Sequence, residues 1–342
     1  MNKKEILSKV MSADSAAIWN HLLVNKKICK TLKTCLVEHA NRFCAEQLAQ
    51  IRLGIDDELT QSQILYYAKP EFDSYQMEMI RFGFRKNWKK EQIAVYAVPE
   101  FCADQMREMY LGLQAGLTTE QIKLYAMPHF EARQMAEIRL GLVKGLTLEQ
   151  LEVYATPKFT WEQMYEIREG FEDELTIRQV KMYAKPMYSD RVMQRVRLCF
   201  KCGMTSRVIN LLLKYNFNIL QMNEICLGIE HGLTYSQVLV YSNPKFSFNQ
   251  MNEIRMGLEQ DLTKNQIEVY MRPEIEAEQM REIRLGFVHG LSMEQIMEYA
   301  YLKLKPEQMK KIRNAYEQGA VSLSGLNIEQ DTETIRNIKK LL

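Results

Sequence analysis

Four residues in this chain have types and spacing suited to chemistry: Cys199 and Cys202 in a CxxC spacing, then Cys226 and His231. Thiolate and imidazole ligands of this kind close tetrahedral zinc sites. Two of the positions argue against that use. Cys199 stands where the chain elsewhere places a small residue, and Cys226 where it places an arginine. Both read as substitutions within a structural pattern, so we expect reduced structural cysteines, no metal and no cofactor. The five histidines (His21, His39, His129, His231 and His289) are scattered. There is no nucleophile elbow, phosphate-cradling glycine loop, HExxH or paired acidic metal motif.

Other polar residues recur. Arg52, Arg81, Arg139, Arg168, Arg197, Arg255, Arg284 and Arg313 form one series. Glu108, Glu137, Glu166, Glu224, Glu253 and Glu282 form a second, and Tyr67, Tyr96, Tyr125, Tyr154, Tyr183, Tyr241, Tyr270 and Tyr299 a third. A catalytic group is needed once, in one pocket. A residue that returns many times is expected to be a ladder holding neighbouring units in register, so we expect no enzyme. On a helical wheel the arginine lies roughly 40° from the apolar stripe and should snorkel or bond a helix end. The glutamate lies about 200° round, on an outer ridge, and should be solvated.

These series share one spacing. The methionine of a Gln-Met pair falls at Met77, Met106, Met135, Met164, Met222, Met251, Met280 and Met309, in steps of 29 or a multiple of it, and Met193 keeps the register without the glutamine. A fixed period of this size marks a stacked repeat array. Each repeat reads as two helices. Helix A opens on capping boxes such as Asp73-x-x-Gln76, Thr160-x-x-Gln163 and Ser247-x-x-Gln250, and runs to a glycine such as Gly116 or Gly145. Helix B opens on boxes such as Thr118-x-x-Gln121 and Thr147-x-x-Gln150, and stops before Pro128, Pro157 and their equivalents. Each helix is expected to span roughly 10 to 14 residues, too short to be stable alone. Met135, Ile138, Leu142 and Leu146 form a stripe that should face helix B, whose own stripe is Ile122, Tyr125 and Ala126 in the preceding repeat. Gly112, Gly141, Gly228 and Gly286 recur inside helix A although glycine there costs about 1 kcal/mol against alanine. We expect the leucine beside each, such as Leu140, to fill the hole left by the glycine of the next repeat.

The fold class that follows is an all-α solenoid of about ten 29-residue helical hairpins with helical caps. The expected boundaries are an N-terminal helical cap at 1–44, the repeats at 45–319 and a C-terminal cap at 320–342. Solenoids recognise partners through an extended surface whose variable positions carry identity. Two ridge positions vary freely. One includes Tyr75 and Arg133, the other Lys86, Lys144, His231 and His289. Arg133, Lys144, His231 and His289 are therefore candidate partner contacts. The sixth repeat, 189–217, departs most from the pattern. Tyr215 replaces proline, Leu212 replaces tyrosine, Cys199 replaces glycine and Arg195 replaces glutamate. From Arg191 to Lys214 there is no acid, so Arg191, Arg195, Lys201 and Arg207 are candidate contacts to phosphate or to an acidic partner. Arg85, Lys86, Lys89 and Lys90 form a second basic knot.

The repeat between Glu131 and Phe159, EARQMAEIRLGLVKGLTLEQLEVYATPKF, resembles helical repeats of gut Firmicutes and mobile-element proteins over roughly residues 45–319. The resemblance implies a bacterial or phage source. It implies no activity, because such repeats are appended to varied proteins. In plan the unit is also similar to tetratricopeptide repeats, with paired helices, an internal glycine and a proline after helix B. It is shorter than their roughly 34 residues and lacks their Trp-Leu-Gly-Tyr spacing.

Composition bounds the function further. With 46% hydrophobic and 26% charged residues the chain can bury a core, which excludes wholesale disorder. A net charge of +2 carries no general affinity for nucleic acid. No apolar run is long enough to span a membrane, and the start has no apolar signal region. Seven cysteines without a framework of spacings fit a reducing, cytoplasmic setting. The expected function is a non-enzymatic protein-binding solenoid: a scaffold, or a sequestering inhibitor of a host or defence factor. The alternative is a nucleic-acid-binding repeat protein that uses the basic irregular repeat. Whether two copies associate is left open.

Overall fold

A computed structural model describes residues 42–300 and 304–320, with Ile18 and Thr34 as isolated positions. The expected caps at 1–44 and 320–342 fall almost wholly outside the described residues. Those residues form nineteen α-helices and no strand. The chain divides into two compact units, Met1–Asp190 and Arg191–Leu342, and the division falls at the start of the irregular repeat. Unit one contains α1 (Ala45–Asp56), α2 (Gln61–Tyr67), α3 (Ser74–Arg85), α4 (Lys90–Ile93), α5 (Ala103–Gln114), α6 (Thr119–Lys123), α7 (Ala132–Val143), α8 (Leu148–Leu151), α9 (Trp161–Glu172) and α10 (Ile177–Tyr183). Unit two contains α11 (Asp190–Lys201), α12 (Ser206–Lys214), α13 (Ile219–Glu230), α14 (Tyr235–Tyr241), α15 (Phe248–Glu259), α16 (Lys264–Tyr270), α17 (Ala277–Val288), α18 (Met293–Ala300) and α19 (Pro306–Glu317). Each unit is a stack of hairpins. In unit one the odd-numbered helices α1 to α9 pack side by side in chain order, and in unit two α13, α15, α17 and α19 do the same.

Every A helix has 12 residues, as in α7. The B helices are shorter than the sequence suggested, from 4 residues in α8 to 9 in α12. In the repeats that carry it, the proline that follows contributes to this. It disfavours helical backbone at the residue before it, so Met127 N–H turns back to the Tyr125 carbonyl at 2.8 Å instead of extending α6. The capping boxes form as the spacing predicts. Asp73 N–H donates to Gln76 Oε1 at 2.7 Å, and Gln76 N–H donates to the Asp73 carboxylate at 2.8 Å. At the other end Leu117 N–H reaches the Gly112 carbonyl at 3.0 Å, with Gly116 at a φ of 90° between them. Glu58, Asn87, Glu174 and Asp261 hold the same left-handed turn at φ of 57–61° without being glycine.

The core is most of the expected stripe: Met135, Ile138, Leu142 and Ile122 are buried and the recurring tyrosines fully so, whereas Leu146 and Ala126 are only half-buried. Three expectations need correction. The helical glycines do not receive leucines from the next repeat. A Cβ on Gly141 would lie 2.2 Å from the Tyr154 hydroxyl, and one on Gly112 would lie 2.2 Å from that of Tyr125. Glycine is required because the tyrosine of the same hairpin reaches across to a carbonyl of helix A, as Tyr154 Oη does to Glu137 O at 3.3 Å. The glutamates are not solvated either. Glu137, Glu166, Glu253 and Glu282 are buried, because the outer ridge of one A helix is covered by its neighbour. The arginines, in turn, reach the preceding A helix. Arg139 Nε donates to Glu108 at 2.8 Å, Arg168 to Glu137 at 2.8 Å, Arg255 to Glu224 at 2.9 Å, and Arg284 to Glu253 at 2.8 Å. Each pair joins one repeat to the next, which is the expected ladder in a different chemical form.

A second ladder runs through the recurring glutamines. Gln134 Nε2 donates to the Phe159 carbonyl at 2.6 Å, while Gln134 Oε1 accepts from Glu131 N–H at 2.8 Å. Gln76, Gln105, Gln163, Gln221 and Gln250 make the same 25-residue link. A capping box accepts glutamate or glutamine. Only glutamine can also donate, and this accounts for its recurrence at these positions.

Candidate protein-binding face

Both members of the arginine–glutamate ladder are replaced at one step within each unit, and the two replacements differ. In unit one Met79 takes the glutamate place on α3 and Tyr110 the arginine place on α5. Both are half-buried, and Tyr75 on α3 is 69% exposed. The Tyr110 ring lies against Trp88 with centroids 4.8 Å apart. Two grooves open over this step. One, of about 360 Å³, is lined by Tyr75, Glu78, Met79, Phe82, Ala103, Asp104 and Arg107. The other, of about 380 Å³, is lined by Phe82, Arg85, Lys86 and Tyr110. Phe82 is common to both.

Beside Glu78 and Asp104, which line the first groove, several cations flank this aromatic floor. The buried Arg81 guanidinium lies 4.8 Å from the Phe82 ring centroid and is held by Asp57 and by Gln50 at 3.0 Å. Arg85 lies 6.0 Å from the same ring and 3.4 Å from Asp57. Lys86, Lys89 and Arg107 are exposed and make no ion pair among the described residues. Lys90 and Lys69 sit 5.1 and 5.5 Å from the Tyr66 ring, whose phenol burial pushes above its ordinary range. An apolar floor with a cationic rim suits an acidic segment that carries a large apolar side chain. The sequence signal for this face was a gap. The glutamate series lacks a member at Met79, and the arginine series lacks one at Tyr110.

In unit two the replaced step is Arg195 on α11 against Cys226 on α13. Arg195 is half-buried, and its Nε has no hydrogen-bond partner among the described residues. Cys226 Sγ lies 3.0 Å from Cys199 Sγ, both sulfurs buried, while Cys202 is exposed. The CxxC therefore does not converge. Among the described residues no group of three or more His, Cys, Asp or Glu is arranged to hold a metal ion.

The other residues singled out from the sequence are dispersed. Arg191, Lys201 and Arg207 are exposed, and the Arg207 guanidinium stacks 4.0 Å above the Tyr235 ring. Arg195 and Arg197 turn inward, so the basic run does not present one face. Arg133 lies 5.0 Å from the Trp161 ring. Lys144, His231 and His289 are exposed but engaged. Lys144 Nζ lies 3.6 Å from Glu172, His231 Nδ1 lies 2.9 Å from Glu259, and His289 Nδ1 lies 2.7 Å from Glu317. Glu172, Glu259 and Glu317 also pair with Arg168, Arg255 and Arg313 in the same helices. This variable ridge position thus adds an outer rung to the ladder. Burial would raise the Glu317 carboxyl, but hydrogen bonds from His289 and Arg313 hold it below the usual range.

Among the described residues no helix is long and apolar enough to cross a membrane. The chain matches no protein-family model, no curated protein and no solved structure.

Proposed function

We propose that this protein is a non-enzymatic protein-binding solenoid, a scaffold or a sequestering inhibitor, whose contact face is the groove over α3 and α5. The partner contributes an acidic segment with a large apolar side chain. The observation that supports this reading is the exchange of a ladder pair for Met79 and Tyr110. Elsewhere in unit one this place is closed by a bonded pair. Here it leaves an aromatic floor open beside Lys86 and Arg107. Hot spots of protein interfaces favour this combination of aromatic and arginine side chains. The inward turn of Arg195 and Arg197 leaves the nucleic-acid reading fewer cations on one face. The resemblance to mobile-element repeats would make a sequestered partner a host factor.

The test uses two fluorescent probes followed by anisotropy: a random copolymer of glutamate and tyrosine, and a short single-stranded oligonucleotide. The copolymer should bind, and K86E/R107E should weaken it about tenfold or more. M79E/Y110R rebuilds the ladder pair and removes the floor, so it should abolish copolymer binding in a protein that still folds. Copolymer binding untouched by M79E/Y110R would overturn the reading. So would tighter oligonucleotide binding that R191E/K201E/R207E removes.

A further inference from the structure

We propose that Cys199 and Cys226 are a redox-active thiol pair that closes to a disulfide under peroxide, joining α11 to α13. The pair is built by a set of matched substitutions. Cys199 occupies the place of the helical glycines, and Leu212 occupies the place of the tyrosine whose hydroxyl fills the space above each glycine. With no hydroxyl to admit, a side chain fits there, and the one present is a thiol. Cys226 occupies the arginine place of the next repeat, so its sulfur points at the preceding A helix. The two sulfurs meet at 3.0 Å, 27 residues apart in the chain, and both are buried. A third substitution supplies charge: Arg195 replaces the glutamate that would otherwise face position 226.

The environment divides the roles. The hydrogen bond with Cys199 and the Arg195 guanidinium hold the Cys226 thiol below its ordinary range. The same contact with Cys226, together with burial, keeps the proton on Cys199. Because Arg195 takes the place that faces position 226, the thiolate forms on Cys226, which acts as the nucleophile while Cys199 resolves. Cys226 gives its proton to solvent, and the thiolate attacks one oxygen of hydrogen peroxide. The O–O bond breaks, hydroxide leaves, and Cys226 becomes a sulfenic acid. The Cys199 sulfur then attacks the Cys226 sulfur, the S–O bond breaks, and the oxygen leaves as water with the Cys199 proton. Two thiols lose two electrons, and one peroxide becomes two waters. Peroxide reaches the pair through local opening of the helices. The bond replaces the ionic rung that this step of the ladder lacks.

The experiment exposes the full chain to a modest excess of hydrogen peroxide, blocks free thiols with iodoacetamide in denaturant, and maps peptides before and after reduction. A peptide pair cross-linked through Cys199 and Cys226 is expected. Thermal unfolding of the oxidised protein should rise on the order of 5–10 °C and return with a dithiol reductant. C226S should lose both effects and C202S neither. The mapping of the unsubstituted chain does not depend on how the variants fold. Full alkylation of Cys199 and Cys226 after peroxide, or a cross-link that runs to Cys202 instead, would overturn the proposal.

Discussion

Arg168 donates from Nε to Glu137 Oε2 at 2.8 Å across 31 residues of sequence, and both side chains are buried between neighbouring A helices. A buried ion pair does not stabilise greatly against an apolar pair of similar size, but removing one partner strands the other. Arg168→Ala should therefore cost about 3–5 kcal/mol. E137M/R168Y copies the natural Met79–Tyr110 step and should fall within about 1 kcal/mol of the parent. Urea unfolding of the parent, E137M, R168Y and E137M/R168Y measures the coupling. Additive losses would show that the pair does not act as a rung.

Gln134 works at both ends, as a cap acceptor and as a donor to the Phe159 carbonyl that leads into the following A helix. Gln134→Glu keeps the cap and removes the donor, leaving the Phe159 carbonyl facing a buried carboxylate. A loss of about 1–3 kcal/mol at neutral pH is expected. A protonated carboxyl can donate again, and burial raises its pKa. Protonation on folding then returns stability as pH falls, so the deficit against the parent should shrink below about pH 5. A deficit that does not change with pH would show that the amide proton is not what matters.

Alanine is normally worth about 1 kcal/mol over glycine inside a helix. Gly141→Ala should instead destabilise, by about 1–3 kcal/mol, because its Cβ would meet the Tyr154 hydroxyl. In a Tyr154→Phe background the same change should become neutral or favourable. Thermal unfolding of the four proteins reads the sign.

Burial pushes the phenols of Tyr67, Tyr96, Tyr125, Tyr154, Tyr241, Tyr270 and Tyr299 well above the ordinary tyrosine range. Their folded pKa exceeds the unfolded value of about 10, so the stability tied to the neutral phenol is intact below that pH. It is lost as pH rises further, by about 1.4 kcal/mol per phenol for each unit, because the unfolded chain ionises first. Alkaline titration at the tyrosinate absorbance should show exposed phenols ionising smoothly. The buried set should then ionise together with loss of helical circular dichroism. Smooth titration of all phenols in a folded protein would contradict this burial.

Much of the fold is legible in the sequence. The period, the two capping boxes, the glycine stop and the proline stop are local signals, each set by backbone hydrogen bonding within a few residues. They specify hairpins, and hairpins with one apolar stripe must stack. The partner of each recurring arginine and glutamate was not legible, because it lies one repeat away, and that of each tyrosine lies across the hairpin. A helical wheel places Glu137 on an outer ridge, and only the neighbouring A helix makes that ridge an interior. Gln134 looked like a cap because its acceptor end acts locally, whereas its donor end acts across 25 residues. The candidate face was present in the sequence as two gaps in two series. Pairing Met79 with Tyr110, and Cys199 with Cys226, required the register between helices, which packing decides and no short stretch of sequence encodes.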